Sequence, residues 1–170
     1  MDAPPRQIDT TGTPAVQVSG LTRDFGDVQA VRGIDLTVYP GETFGFLGPN
    51  GAGKSTTISI LCTLLDPTSG SARVADFDVL TQRDDVRRNI GLVFQETTLD
   101  VYLSAAQNLE FHAELYGVPR GLVQPRMQQV LEMVGLWDRR DSLVQTFSGG
   151  MKRRLEIARA LAAEPRLLLL

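Results

Sequence analysis

The sequence predicts an α/β fold built around a phosphate-binding loop, and three observations carry that prediction. The run GPNGAGKST, Gly48 to Thr56, has the spacing G-x-x-x-x-G-K-[ST]. Thr43-Phe44-Gly45-Phe46-Leu47 precedes it as a short apolar stretch, expected to be a buried strand. Ser55 to Leu65 follows with Ile58, Leu61, Cys62 and Leu65 at helical spacing. Beyond this unit, short apolar or alternating stretches are interleaved with stretches of helical period.

Taken in order, residues 1–14 (MDAPPRQIDTTGTP) are polar and rich in Pro and Thr, and are expected to form a mobile tail. They lack the charged start and apolar core of a secretory signal. Ala15 to Val18 and Val28 to Val38 are expected strands, the second with Ile34, Leu36 and Val38 alternating. Tyr39-Pro40-Gly41-Glu42 is a turn before the strand and glycine loop. Asp66-Pro67-Thr68-Ser69-Gly70 is expected to end the first helix. A strand over Ser71 to Ala75, a charged helix over Thr81 to Arg88 and a strand over Ile90 to Gln95 come next.

Ser104 is placed to cap a helix running to about Tyr116, with Leu109, Ala113 and Tyr116 on one side. Val123, Met127, Val130, Leu131 and Val134 give a second helix over about Leu122 to Val134. Phe147-Ser148-Gly149-Gly150-Met151 then introduces a helix expected from Lys152 to about Ala163, with Leu155, Ala158, Leu161 and Ala162 inward. Glu164-Pro165 stops it, and Arg166 to Leu170 reads as an apolar strand.

Composition sets the outer bounds. With 170 residues, 42% apolar and 22% charged, the chain can bury the core of one globular domain. A net charge of −3 gives no general attraction to nucleic acid. Arg87-Arg88, Arg139-Arg140 and Lys152-Arg153-Arg154 are expected to be solvated helix faces or ends. The single cysteine, Cys62, excludes an internal disulfide and a multi-cysteine metal site, and is expected in the core. No run approaches the ~18–20 apolar residues that cross a bilayer, so a cytoplasmic protein is expected, touching a membrane only through a partner.

The glycine loop is where chemistry is legible. Gly48, Gly51 and Gly53 leave the backbone free to curl, so the N–H groups across Gly48, Pro49, Asn50, Gly51, Ala52, Gly53, Lys54, Ser55 and Thr56, proline excepted, can converge on an anion. Lys54 is expected to reach the β- and γ-phosphates of a nucleotide, and the Ser55 hydroxyl to stand on Mg²⁺. Strand, loop and helix start together make an anion site, because unpaired N–H groups and the helix dipole coincide there.

A glycine loop, then a strand ending in Gln95, then FSGGM opening a basic helix about a hundred residues on, resembles the ATP-binding subunit of ABC transporters from about Val16 to Leu170. The resemblance implies a phosphate-loop core with a mixed sheet, an antiparallel β region from the N-terminal strands, and a helical subdomain between about Asp100 and Ser148. It implies ATP and Mg²⁺ as cofactors. It gives Phe25 the role of stacking on adenine, against the alternative of a strand-end core residue. Gln95 becomes the glutamine that contacts Mg²⁺ and the attacking water, against a plain surface-loop residue. Ser148, Gly149 and Gly150 become the signature motif that closes, in trans, on ATP held by an opposite subunit; a helix cap is the alternative. Phe147 and Met151 depart from the commoner Leu and Gln, neither of which touches phosphate.

Partners implied by the resemblance are an integral-membrane transporter subunit and a second ATP-binding subunit joined head to tail. GLVFQETTLD and NLEFHAELYGVP look most like subunits of drug and antibiotic exporters, including the daunorubicin-resistance type. The family pattern continues past its last apolar strand into Asp-Glu and later a histidine, whereas this run ends at Leu170. A partial sequence whose complete form is an ATPase is therefore expected, incomplete at its C-terminus. Other readings are an ATP-binding protein without turnover and a soluble ATPase acting on ribosomes or DNA. His112 is given no catalytic role.

Overall fold

The computed structural model describes residues 12–94 and 96–170, so most of the expected tail and Gln95 lie outside the described residues. The chain divides into two compact units, Met1–Asn89 and Ile90–Leu170.

In the first unit, β1 (Val16–Phe25) pairs antiparallel with β2 (Val28–Val38) and, on its other side, with β3 (Ser69–Val74). β3 pairs with the short β4 (Phe77–Asp78), giving the order β2-β1-β3-β4. This is the antiparallel N-terminal region the sequence predicts, with β2 at its expected bounds and β1 carried on to Phe25. Val16, Val18 and Leu21 of β1, with Ala72 and Val74 of β3, are buried.

Helix α1 (Lys54–Leu61) buries Thr57, Ile60 and Leu61. It stops earlier than expected, ahead of the Asp66–Gly70 turn. Thr63 takes the left-handed conformation (φ 60), with Thr63 N–H donating to Ile60 O and Leu64 N–H to Ser59 O, both at 2.9 Å. This is a Schellman ending with a threonine where glycine usually stands. Arg87, on α2 (Arg83–Asn89), secures it by donating from Nε to Thr63 Oγ1 at 2.7 Å. Cys62 is buried as expected, and burial pushes its thiol up to about 11.

One expected element is absent. Residues 43–47 form no strand and are not buried: Leu47 is 95% exposed. A strand is held by ladder bonds to a neighbour, and among the described residues none pairs with this stretch. Phe44 and Phe46 instead meet edge to face at 5.4 Å.

In the second unit, β5 (Ile90–Leu92) runs parallel to β6 (Leu167–Leu169), with Ile90 opposite Leu167 and Leu92 opposite Leu169. The strands thus sort into an antiparallel set and a parallel pair. Helices α3 (Ala105–Leu115), α4 (Arg120–Met133) and α5 (Gly149–Leu161) enclose a core that includes Leu109, Leu131, Leu136, Val144, Leu155 and Ala158. Ser104 caps α3 as expected, in a capping box closed by Gln107. α5 begins three residues before the expected start, because Ser148 caps it and both glycines enter its first turn. Among the described residues, no helix is long and apolar enough to cross a membrane.

Candidate nucleotide-binding site

The glycine loop lies in the first unit, between the irregular 43–47 stretch and α1. Gly53 is its tightest point. It is the N-cap of α1 with φ 83, and a Cβ there would lie 2.3 Å from the Ala30 carbonyl oxygen on β2. Any side chain at this position would collide with backbone, so glycine lets the helix start press against the strand. Gly53 O accepts from both Thr57 N–H (2.8 Å) and Thr57 Oγ1 (2.9 Å), which fixes the first turn.

The N–H groups of Lys54, Ser55 and Thr56 have no intrahelical acceptor, as at any helix start. No side chain caps this end and no acidic residue occupies its first turn. The positive end of the helix dipole is therefore left open to an outside anion. Lys54 Nζ donates to Gly48 O and Pro49 O, each at 2.7 Å, bracing the loop. An ammonium has three donors, so one remains for an anion. Ser55 is exposed on the same turn. Ala30, Phe46, Pro49, Asn50, Gly51 and Lys54 are among the residues lining an adjacent cavity of about 430 Å³.

These residues fit a phosphate group. The fit to Mg²⁺ is narrower, because among the described residues no group of three His, Cys, Asp or Glu side chains could hold a metal. Mg²⁺ suits such a place only when phosphate oxygens and water complete its shell, with Ser55 as the protein oxygen. Gln95, the other expected metal contact, lies outside the described residues.

Phe25 stands apart from the cavity lining, at the end of β1 opposite Val28. Phe25 is 47% exposed and so is not a core residue. The Arg23 guanidinium lies over the ring, 4.5 Å from its centroid.

In the second unit, Ser148 Oγ accepts the Met151 N–H at 3.3 Å, so the serine is a helix cap. Gly149 and Gly150 are exposed, with open space where a Cβ would point. His112 stacks on Tyr116 at 4.3 Å between centroids, and burial, followed by the nearby Arg159 charge, lowers its pKa to about 4.

The short basic runs are not simply solvated. Arg153 NH1 donates to Phe94 O at 2.6 Å, Arg154 NH1 to Val134 O at 2.8 Å, and Arg140 lies over the Trp137 ring. Glu156, which no motif marks, is 3% exposed and accepts the Thr98 N–H. Its spacing from Arg153 and Arg159, on one face of α5, is the only signal that could have singled it out.

The family described as ABC transporter matches residues 31–170. The daunorubicin/doxorubicin resistance ATP-binding protein DrrA of Streptomyces peucetius is 43% identical over 96% of this chain and 49% of its own length. The methionine import ATP-binding protein MetN of Brucella abortus is 39% identical, over 94% of this chain and 44% of its own. The chain thus spans about half the length of the curated relatives it matches. Among solved structures, cbiO1 of Clostridium perfringens, part of the ABC transporter complex cbiONQ, superposes with a TM-score of 0.82 at 28% identity. That match covers 91% of this chain and 64% of the other. The glycine loop, the Ser-Gly-Gly helix start and these matches lead to one assignment: the chain belongs to the ABC transporter family.

Proposed function

We propose that this chain is the ATP-binding part of a transport ATPase, which binds ATP with Mg²⁺ and hydrolyses it to drive a separate membrane subunit. The observation that carries the reading is the open start of α1, where Gly53 brings unpaired N–H groups and Lys54 together at one anion site. Phosphoryl transfer is catalysed mainly by positioning and charge stabilisation, and this loop supplies both for the phosphate chain. Mg²⁺, when bound, would neutralise charge on the β- and γ-phosphates; Ser55 is the described residue placed to hold it. Gln95 is the further residue assigned to the metal and the water.

The domain runs over residues 15–170, with a helical subdomain over about 100–148. Ser148, Gly149 and Gly150 would close on the ATP of a second subunit, joined head to tail. Phe111 and Leu115, both exposed one turn apart on α3, offer an apolar ridge to the membrane subunit. Through that partner the protein would sit at the inner face of the cell membrane. Export of a drug or another hydrophobic compound is the cargo reading favoured by the resistance relative.

ATP titration of the wild type and Lys54→Ala, with and without Mg²⁺, tests the core of this reading. Loss of affinity by about tenfold or more in Lys54→Ala is expected from removing a charge-assisted phosphate contact. Unchanged affinity both in that variant and without Mg²⁺ would sink the assignment. Drug efflux from cells carrying the complete protein and its membrane subunit tests the cargo.

A further inference from the structure

We propose that Arg23 is a positioning residue for the nucleotide base, holding the Phe25 ring at a fixed angle with one face covered and the other free. The proposal rests on reading Phe25 as the base-stacking residue. It adds a second layer, with the order guanidinium, phenyl ring, base.

The geometry is specific. Phe25 is the last residue of β1, at the mouth of a tight hairpin that returns at Val28. Arg23 lies two residues back on the same strand, just before a register shift at Asp24. Its guanidinium carbon is 4.5 Å from the Phe25 ring centroid. Its NH1 donates to Asp66 O at 3.0 Å, tying the group to the segment that leads into β3. Arg23 Nε is buried without a hydrogen-bond partner among the described residues. A guanidinium that loses water at one edge is compensated in part by the negative face of an aromatic ring. Phe25 is nonetheless 47% exposed, which leaves surface for a planar heterocycle to stack on. Bases stack on aromatic faces with little regard for sequence, and a ring already fixed in place spares the ordering cost on binding.

Arg23 itself would touch neither base nor phosphate, and that separates it from an ordinary cationic nucleotide contact. The test measures ATP and inorganic tripolyphosphate affinity by calorimetry for wild type, Arg23→Ala, Arg23→Lys, Phe25→Ala and the double variant Arg23→Ala/Phe25→Ala. Arg23→Ala should weaken ATP binding about three- to tenfold, leave tripolyphosphate unchanged, and have no further effect once Phe25 is Ala. Arg23→Lys should recover part of the loss. Equal losses for ATP and tripolyphosphate would overturn the proposal in favour of a general electrostatic or structural role. Normal ATP binding in Arg23→Ala beside weakened binding in Phe25→Ala would overturn Arg23 alone. Unchanged ATP binding in Phe25→Ala would overturn the stacking reading and this proposal with it. Should Arg23→Ala not fold, Arg23→Met keeps the apolar stem and reads the same comparison.

Discussion

Glu156 Oε1 accepts the backbone N–H of Thr98 at 3.0 Å, joining the loop after β5 to the middle of α5. The contact is part of a row on one helix face. Arg153 NH1 lies 3.5 Å from Glu156 Oε2 and reaches Phe94 O, while Arg159 NH1 donates to Thr98 O at 2.9 Å. A carboxylate buried to this degree is sustained only by such partners. Glu156→Ala should therefore lower unfolding free energy by about 1–3 kcal/mol, because Thr98 N–H loses its acceptor. Glu156→Gln, which keeps an acceptor oxygen, should cost less. Urea melts measure both, and amide exchange should be faster at Thr98 in the alanine variant.

Gly53 and Gly51 share φ 83 but not their surroundings. A Cβ at Gly51 meets nothing within 4 Å, whereas one at Gly53 meets the Ala30 carbonyl oxygen at 2.3 Å. Gly51→Ala should cost only the left-handed backbone, about 1–2 kcal/mol. Gly53→Ala adds a collision with backbone, a further ~1–3 kcal/mol, and displaces the helix start from the phosphate site. Thermal melts should rank the two, and ATP affinity should fall more steeply in Gly53→Ala. Equal effects would mean that the approach to β2 is unimportant.

Ser148 can be separated into its observed and proposed roles. As a cap it accepts the Met151 N–H, so Ser148→Ala should cost about 1 kcal/mol and Ser148→Asn only a small part of that. If the serine also grips ATP across a dimer, both variants should lose ATP-dependent dimerisation, measured by light scattering. Intact dimerisation in the well-capped Asn variant would leave Ser148 with the cap alone.

Local signals in the sequence carried most of the fold. Strand β2, the Ser104 cap and the buried Cys62 followed from alternation, capping chemistry and helical period. The end of α1 did not, because a threonine at a left-handed position carries no warning without sight of Arg87, a residue distant in sequence. The stretch 43–47 has strand composition, yet a strand is defined by pairing, which composition does not contain. At the site, the loop was legible because spacing there is the chemistry. Elsewhere, the contacts of Arg23 and Glu156 were not legible, since a charged residue on a strand or helix is ordinarily solvated and only the fold shows what lies beside it.

His112 gives the chain a predicted acid sensitivity. Burial, followed by the Arg159 charge, holds its folded pKa near 4, below the ordinary 6.5. Above pH ~6.5 the imidazole is neutral in folded and unfolded chains alike, so it adds no pH dependence. Below that value the unfolded chain takes up a proton that the folded chain refuses, and stability falls with falling pH. The slope from this residue approaches at most about 1.4 kcal/mol per pH unit and vanishes once the folded imidazole protonates too. Urea midpoints at pH 7, 6 and 5 should therefore decline more steeply in wild type than in His112→Gln, and the two should run parallel above pH 7. Parallel curves throughout would mean that the imidazole stays hydrated in the folded chain, and that its packing against Tyr116 is looser than a 4.3 Å stack implies.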